Sequence, residues 1–296
     1  MADETAISEA AIHIARPAVQ TAPLVFASPH SGRRYPPDFV RAAALDPETL
    51  RNSEDAFVDE LFADAPRHGA PLLAALFPRA FVDVNRERYE LDPAMFDAPL
   101  PAFANTRSAR VASGLGTVAR VVGDGQEIYR GKLSFAEIET RLERYYAPYH
   151  AALEALIGET RRTFGFAVVI DCHSMPSVGG PHDEDRGLAR PDIVLGDRYG
   201  RSSAPALTAL VESLLRAEGL RVAQNAPYAG GYTTQHYGKP EEGVSVVQIE
   251  LNRGLYMTEA TMAKSPGFDR LKALLDRFMV ALAARDLAAP GLSHRR

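Results

Sequence analysis

The sequence predicts an α/β fold in which a mixed, mostly parallel sheet lies between layers of helices. Two observations lead there. Three runs, Leu24–Ser28 (LVFAS), Phe166–Asp171 (FAVVID) and Val244–Leu251 (VSVVQIEL), place branched apolar residues on both alternating sets of positions, the pattern of strands buried on both faces. Between them lie segments with apolar residues at helical spacing, and strands alternating with helices build sheets covered on both sides. The chain has 296 residues, 46% hydrophobic and 24% charged, a balance that excludes a disordered or low-complexity protein. It reads as one α/β domain over 1–296, with residues 1–20 and 286–296 peripheral.

The elements follow in order. The first strong strand, Leu24–Ser28, ends abruptly in Pro29-His30-Ser31-Gly32. Residues 55–68 read as a helix, with Phe57, Val58, Leu61 and Phe62 at helical spacing and Gly69 just past the end. Residues 71–77 and 80–84 read as strands separated by Pro78-Arg79, and 90–132 as loops and short strands. Ser134 and Glu137 form a capping box for a helix running towards Tyr146, which Pro148 is expected to interrupt before a second piece at 149–162. The strand at 166–171 gives way to Cys172-His173-Ser174 and a polar loop. A strand at 192–195, a helix at 204–217 and a short strand at 220–223 come next. Residues 227–243 (PYAGGYTTQHYGKPEEG) read as a loop, 244–251 as the last strong strand, and 257–284 as a helical pattern broken near Pro266.

Composition narrows the function. A formal charge of −5 argues against nucleic acid, whose partners carry a basic excess. No apolar run approaches the ~18 residues of a membrane span, and the first residues lack the basic-then-apolar pattern of a secretory signal. One cysteine cannot form an internal disulfide. A cytoplasmic protein with a small-molecule partner is expected; the oligomeric state is not legible.

In open α/β sheets, ligands sit outside the carboxyl ends of the strands. His30, His173 and Glu250 lie at or just beyond the ends of the three most apolar strands. Two neutral imidazoles and one carboxylate make an open zinc site that leaves a position for water. The carboxylate candidates are Glu54 and Asp55, although Asp55 would equally serve as a helix cap, and a histidine after a strand can simply cap a turn. Glu250 closes an apolar strand, which is costly for a carboxylate unless it is paired or faces a cleft, and it suits a general base. There is no HExxH motif, and Arg33 rather than Glu stands three residues after His30. Cys172 and His173 point to opposite faces of a strand, so they form no dyad, and Cys172 reads as a buried, inert thiol. Asn85-Arg86 could grip a carboxylate through the guanidinium fork; a salt bridge from Arg86 to Asp83 or Glu87 is the alternative.

Eight blocks in one order, SPHSG (28–32), EDAFVDELF (54–62), PRAFVDVNRE (78–87), IYRGKLS (128–134), YYAPYH (145–150), DCHSMPS (171–177), GGYTTQHYG (230–238) and VVQIELNRGLYM (246–257), resemble the N-formylglutamate amidohydrolases over roughly residues 20–285. The resemblance implies a three-layer, phosphorylase/hydrolase-like fold related to zinc carboxypeptidases and aspartoacylases. It also implies hydrolysis of a small N-acyl amino acid: N-formyl-L-glutamate and water to formate and L-glutamate, in histidine degradation. One Zn²⁺ would be held by His30, His173 and Asp55, which aligns better than Glu54; other divalent metals suit the same donors. Glu250 matches the general base, and Arg79 a cation near the scissile carbonyl. Asn85 and Arg86 match a pair that holds a substrate carboxylate. His236 and Tyr237 would line the cleft, with His236 either an oxyanion donor or a loop anchor. Arg253, just after Glu250, adds a cation on the substrate side and leaves the acyl amino acid's side chain open. The alternatives are a zinc deacylase for other N-acyl amino acids, a cysteine amidase using Cys172, and a non-catalytic amino-acid-binding module.

Overall fold

In a computed structural model of the chain, residues 10–287 are described, except 124 and 182. The histidines at 182 and 294, and the stretches 1–9 and 288–296 expected to be peripheral, lie outside the described residues.

Seven strands form the central sheet: β1 (Ile12–Ala15), β2 (Leu24–Ser28), β3 (Leu72–Ala75), β4 (Ala167–Met175), β5 (Ile193–Gly196), β6 (Val222–Gln224) and β7 (Val244–Asn252), in the spatial order β1-β3-β2-β4-β7-β5-β6. The inner strands β3, β2, β4 and β7 are parallel, as are β5 and β6. β1 on β3 and β5 on β7 run antiparallel, so the sheet is mixed and mostly parallel. β1 lies within the stretch expected to be peripheral, where the short IHIA run gives no strand signal.

Strand residues alternate between two cores. Leu24, Phe26, Val168, Ile170, Cys172, Val247 and Ile249 pack with helices α2 (Pro205–Ala217) and α3 (Gly267–Ala283). Val25, Ala27, Ala167, Val169 and Val246 pack with α1 (Ala147–Phe164) through Tyr149, Leu153, Leu156 and Ile157. Helices therefore cover both faces, and the carboxyl edge of the parallel strands is left for a site. Among the described residues, no helix is long and apolar enough to cross a membrane.

Four local expectations are corrected. Residues 80–84 are not a strand: Ala80, Phe81, Val82 and Val84 are buried, but the chain turns, with Phe81 N–H donating to Pro78 O (3.0 Å) and Asp83 N–H to Thr117 O (2.8 Å). Burial alone gave that run its strand-like look. The helix expected over 55–68 is two single turns, Val58–Leu61 and Ala65–His68, because Phe57 holds a left-handed backbone (φ 65°) and Pro66 has no N–H to continue a helix. Conversely, Pro148 does not break its helix. A wider π-turn over Leu142–Tyr146 joins Phe135–Arg141 to α1, and such a turn accommodates the missing donor and the ring. Finally, Tyr232–Tyr237 is helical inside the expected loop.

Candidate metal centre and active site

The site is assembled by strand register. On β4 and β7, His173 stands opposite Glu250 and Asp171 opposite Gln248. Residues two apart share a face, so these four side chains line one side of the sheet at its carboxyl edge. His30 reaches the same place from the turn after β2. That turn presses so closely on the chain after β3 that a Cβ on Gly32 would lie 2.1 Å from Phe77 O; only glycine permits the approach. Asp55 is brought in by its own backbone N–H, which donates to His30 O (3.0 Å).

His30 Nδ1, His173 Nδ1 and Asp55 Oδ2 converge. Their separations are 3.3 Å (His30–Asp55), 3.1 Å (His173–Asp55) and 3.2 Å (His30–His173). Each residue is 1–2% exposed. Behind the triad, His30 Nε2 is 2.8 Å from Asp83 Oδ1, and His173 Nε2 makes an ion-pair contact of 2.9 Å with Asp171 Oδ2. The Asp83 carboxylate draws the ring N–H of His30 to Nε2, leaving its Nδ1 lone pair facing Asp55, and the Asp171 charge at Nε2 favours the same tautomer for His173. Three electron-pair donors this close repel unless a cation lies among them. Their spacing also approaches the ~3.3 Å between ligand atoms that tetrahedral zinc bonds of ~2.0–2.1 Å require. The group fits a divalent metal.

The other oxygen of Asp55 is also held: Oδ1 accepts from Ser174 Oγ (3.2 Å) and Arg253 Nη2 (3.1 Å). Burial opposes its charge, but its contacts with His173 and His30 and the charge of Arg79 keep the carboxyl well below the usual range. Glu54 is engaged elsewhere, accepting from Tyr35 Oη (2.6 Å) and Arg51 (3.2 Å). Of the two candidate carboxylates, the structure brings Asp55 to the imidazoles.

Glu250 accepts from Gln248 Nε2 (2.7 Å). Burial raises its carboxyl to about 7; His173 and Arg79 pull it down, while Asp55 and Asp171 push it up. Arg79 donates to Asp83 Oδ2 (2.8 Å), and its charge also acts on Asp55 and Glu250. Cys172 lies on the opposite face, its thiol donating to Ile170 O (3.4 Å) and pushed up chiefly by burial, far from nucleophilic form.

The sequence model of the N-formylglutamate amidohydrolase family matches residues 22–257. The chain belongs to that family. It is 34% identical over 240 residues to an N-formylglutamate deformylase of Pseudomonas aeruginosa, covering 80% of this chain and 83% of the relative. It is 31% identical to one of Pseudomonas putida, covering 80% and 82%. A crystal structure of an N-formylglutamate amidohydrolase from Ralstonia eutropha superposes with a TM-score of 0.85 at 38% identity, over 93% of this chain and 97% of that one. A gene product from Agrobacterium tumefaciens shares the fold, with a TM-score of 0.63 at 20% identity over 92% and 94%. This chain is an amidohydrolase of the N-formylglutamate deformylase type.

In this amidohydrolase the remaining expected residues are placed unevenly. Asn85 Nδ2 is 3.4 Å from His173 Nε2, but its Oδ1 accepts from Thr233 N–H (2.8 Å) and its backbone O from Tyr232 N–H (3.3 Å). Asn85 thus caps the helix at 232–237 from almost 150 residues away. Arg86 donates to Leu115 O and Asn85 O (both 2.8 Å) and stands 3.6 Å from Asp83. Burial lowers it to about 10, so it stays charged at neutral pH. Tyr237 Oη pairs with His150 Nδ1 (2.7 Å). His236 is exposed and stacks on Tyr232 at 4.9 Å. Arg253 spends its guanidinium on Ser174 Oγ, Asn52 O, Glu54 O and Asp55.

The residues missed in the sequence are Asp83, Asp171, Ser174 and Gln248. Two of them were marked by period-2 polar pairs ending apolar strands, Asp171-x-His173 and Gln248-x-Glu250.

Proposed function

We propose that the protein hydrolyses N-formyl-L-glutamate to formate and L-glutamate with one divalent metal ion, zinc, held by His30, Asp55 and His173. The convergence of those three buried donor atoms beside Glu250, in a chain of this family, carries the reading. When bound there, zinc supplies Lewis-acid polarisation and makes water acidic enough to react near neutral pH. Glu250 takes a proton from the attacking water and returns it to the amide nitrogen as the C–N bond breaks, so that one water is consumed per formate released. Gln248 fixes the Glu250 carboxylate. Arg79 stabilises negative charge developing on the formyl oxygen. Arg86, with donors to spare, holds a substrate carboxylate, with Asn85 beside it. Arg253 acts through Asp55, positioning it, rather than on substrate. Tyr237 and His236 belong to the helix that borders the cleft.

The test is formate release from N-formyl-L-glutamate by metal-analysed protein, before and after chelation and zinc restoration. Chelator-sensitive, zinc-restored turnover is expected. A zinc-loaded protein that releases no formate would overturn the substrate, and turnover indifferent to chelation would overturn the metal.

A further inference from the structure

Around Asn85 the structure gathers guanidinium groups without a matching set of carboxylates. Arg110 donates to Asn85 O (3.3 Å) and forms no ion pair among the described residues. It rides on the segment that Arg86 also grips at Leu115 O. Arg198 enters from the turn after β5, where it and Tyr199 hold left-handed backbones (φ 54° and 57°), a conformation that non-glycine residues keep only when their surroundings impose it. Asn225 imposes it, its Oδ1 accepting from the N–H groups of Asp197 (3.1 Å) and Tyr199 (3.3 Å) while Arg198 N–H donates to Ala229 O (2.8 Å).

Arg198 and the Asn85 that Arg110 binds flank a pair of glycines. A Cβ on Gly230 would lie 3.1 Å from Arg198 Cγ, and one on Gly231 2.3 Å from the Asn85 amide. Gly230-Gly231 is therefore clasped between the Arg198 stem and Asn85. Arg198 likewise has no ion pair among the described residues; after burial, the charges of Arg201 and Arg110 are what oppose its own. Arg86 is supported by Asp83 but opposed in turn by Arg110 and Arg79. The carboxylates nearby do not balance this. Asp83 is already shared by Arg79, His30 and Arg86 itself, Glu87 accepts from Asn105, and Glu90 acts on Arg86 without an ion pair. Mutually repelling guanidiniums, half-buried beside Asn85 and so beside His173, are a standing demand for an anion.

We propose that Arg110 and Arg198 are specificity-determining residues that bind the side-chain carboxylate of the acyl amino acid, leaving Arg86 for the α-carboxylate. The inference rests on the reading of the protein as an N-formyl amino acid hydrolase, so its test includes a readout that needs no turnover.

Zinc-loaded wild type, Arg110→Met and Arg198→Met are compared on N-formyl-L-glutamate and N-formyl-L-glutamine, and by calorimetry with glutarate. Metal content and Tm serve as controls for folding. The wild type is expected to prefer the glutamate substrate. Each variant should lose about 10²-fold in kcat/KM on it, the scale of a charge-assisted hydrogen bond, mainly through KM, with the glutamate-to-glutamine preference falling by a similar factor. Glutarate binding should weaken in step. An unchanged preference and unchanged glutarate affinity in both folded variants would overturn the proposal. Glutarate binding that depends on both arginines, in a protein that releases no formate, would uphold the carboxylate site and instead overturn the assigned reaction.

Discussion

On β4 and β7, Ile170, Cys172, Val247 and Ile249 turn to one face of the sheet, and Asp171, His173, Gln248 and Glu250 to the other. All eight are buried, yet the two sets are buried for opposite reasons. The first removes apolar surface from water, which stabilises the fold. The second takes charged and polar groups out of water, which costs free energy unless each finds a partner. Part of that cost is offset: Gln248 donates to Glu250 and the Asp171 charge faces His173 Nε2, although neither Asp171 oxygen accepts a hydrogen bond among the described residues. The two faces of the same strands therefore answer to different demands. Changes on the apolar face should cost stability and spare the chemistry, whereas changes on the polar face should do the reverse.

The largest expected effect comes from Glu250→Gln. It should retain metal and lose about 10²- to 10⁴-fold in kcat, the range for removing a general acid–base group; near-normal turnover would remove Glu250 from the mechanism. The same variant tests the cost of the polar face. Glu250 is raised to about 7 in the folded chain against an ordinary 4.5, so above pH 7 both states are ionised and the folded state bears the full penalty. Between those values folding binds a proton, and stability falls as pH rises; below 4.5 the penalty is absent. Metal-free Glu250→Gln should therefore melt higher than metal-free wild type at pH 8, with the gap closing towards pH 4. A wild type that is the more stable at pH 8 would show that the buried Glu250 carboxylate carries no such penalty.

Next in size is Ile249→Ala, one residue away on the other face and fully buried. Removing its branched chain should cost about 2–5 kcal/mol, read by denaturant unfolding, while kcat per folded molecule stays close to wild type. A large loss of kcat without loss of stability would show that the two faces are not separable.

How far the sequence discloses this arrangement depends on the kind of signal. The inner strands were legible because Val25, Phe26, Val169, Ile170, Val246 and Val247 are apolar without regard to face, which only a doubly covered sheet requires. His30, His173 and Glu250 stood out as polar residues ending such runs. Asp83 and Asp171 did not, since their importance lies in which imidazole nitrogen they face across the fold. The helix at 232–237 looks like a loop in the sequence because its cap, Asn85, comes from a distant part of the chain. Arg110 and Arg198 sit in an aperiodic stretch and a strained turn, where no period marks them. The false strand at 80–84 shows the converse: apolar residues can be buried by turns as well as by pairing.

Asp171→Asn sharpens the polar side. The amide keeps the shape but loses the charge facing His173 Nε2, so metal affinity should fall about 10- to 100-fold, the range for carboxylates that orient a ligating histidine. Competition with a chelator of known affinity measures it. Unchanged affinity would mean that Asp171 serves the fold alone.

The smallest effect is expected from Cys172→Ala, which sits between Asp171 and His173 in sequence but faces the apolar core. Its thiol is fully buried, pushed up by burial and by the charge of Asp171, and donates to Ile170 O. A sulfur so placed stays protonated and cannot attack a carbonyl. The substitution removes one small buried group, at a cost of about 1 kcal/mol, and formate release should remain within about twofold of wild type, well short of the ~10² of a lost catalytic group. Abolished turnover in a folded, metal-loaded Cys172→Ala protein would place the reaction on the other face of the sheet and restore the cysteine-nucleophile reading. Unchanged turnover beside a crippled Glu250→Gln would fix the chemistry to one face of β4 and β7, with adjacent residues of the same strands divided between holding the fold and serving the reaction.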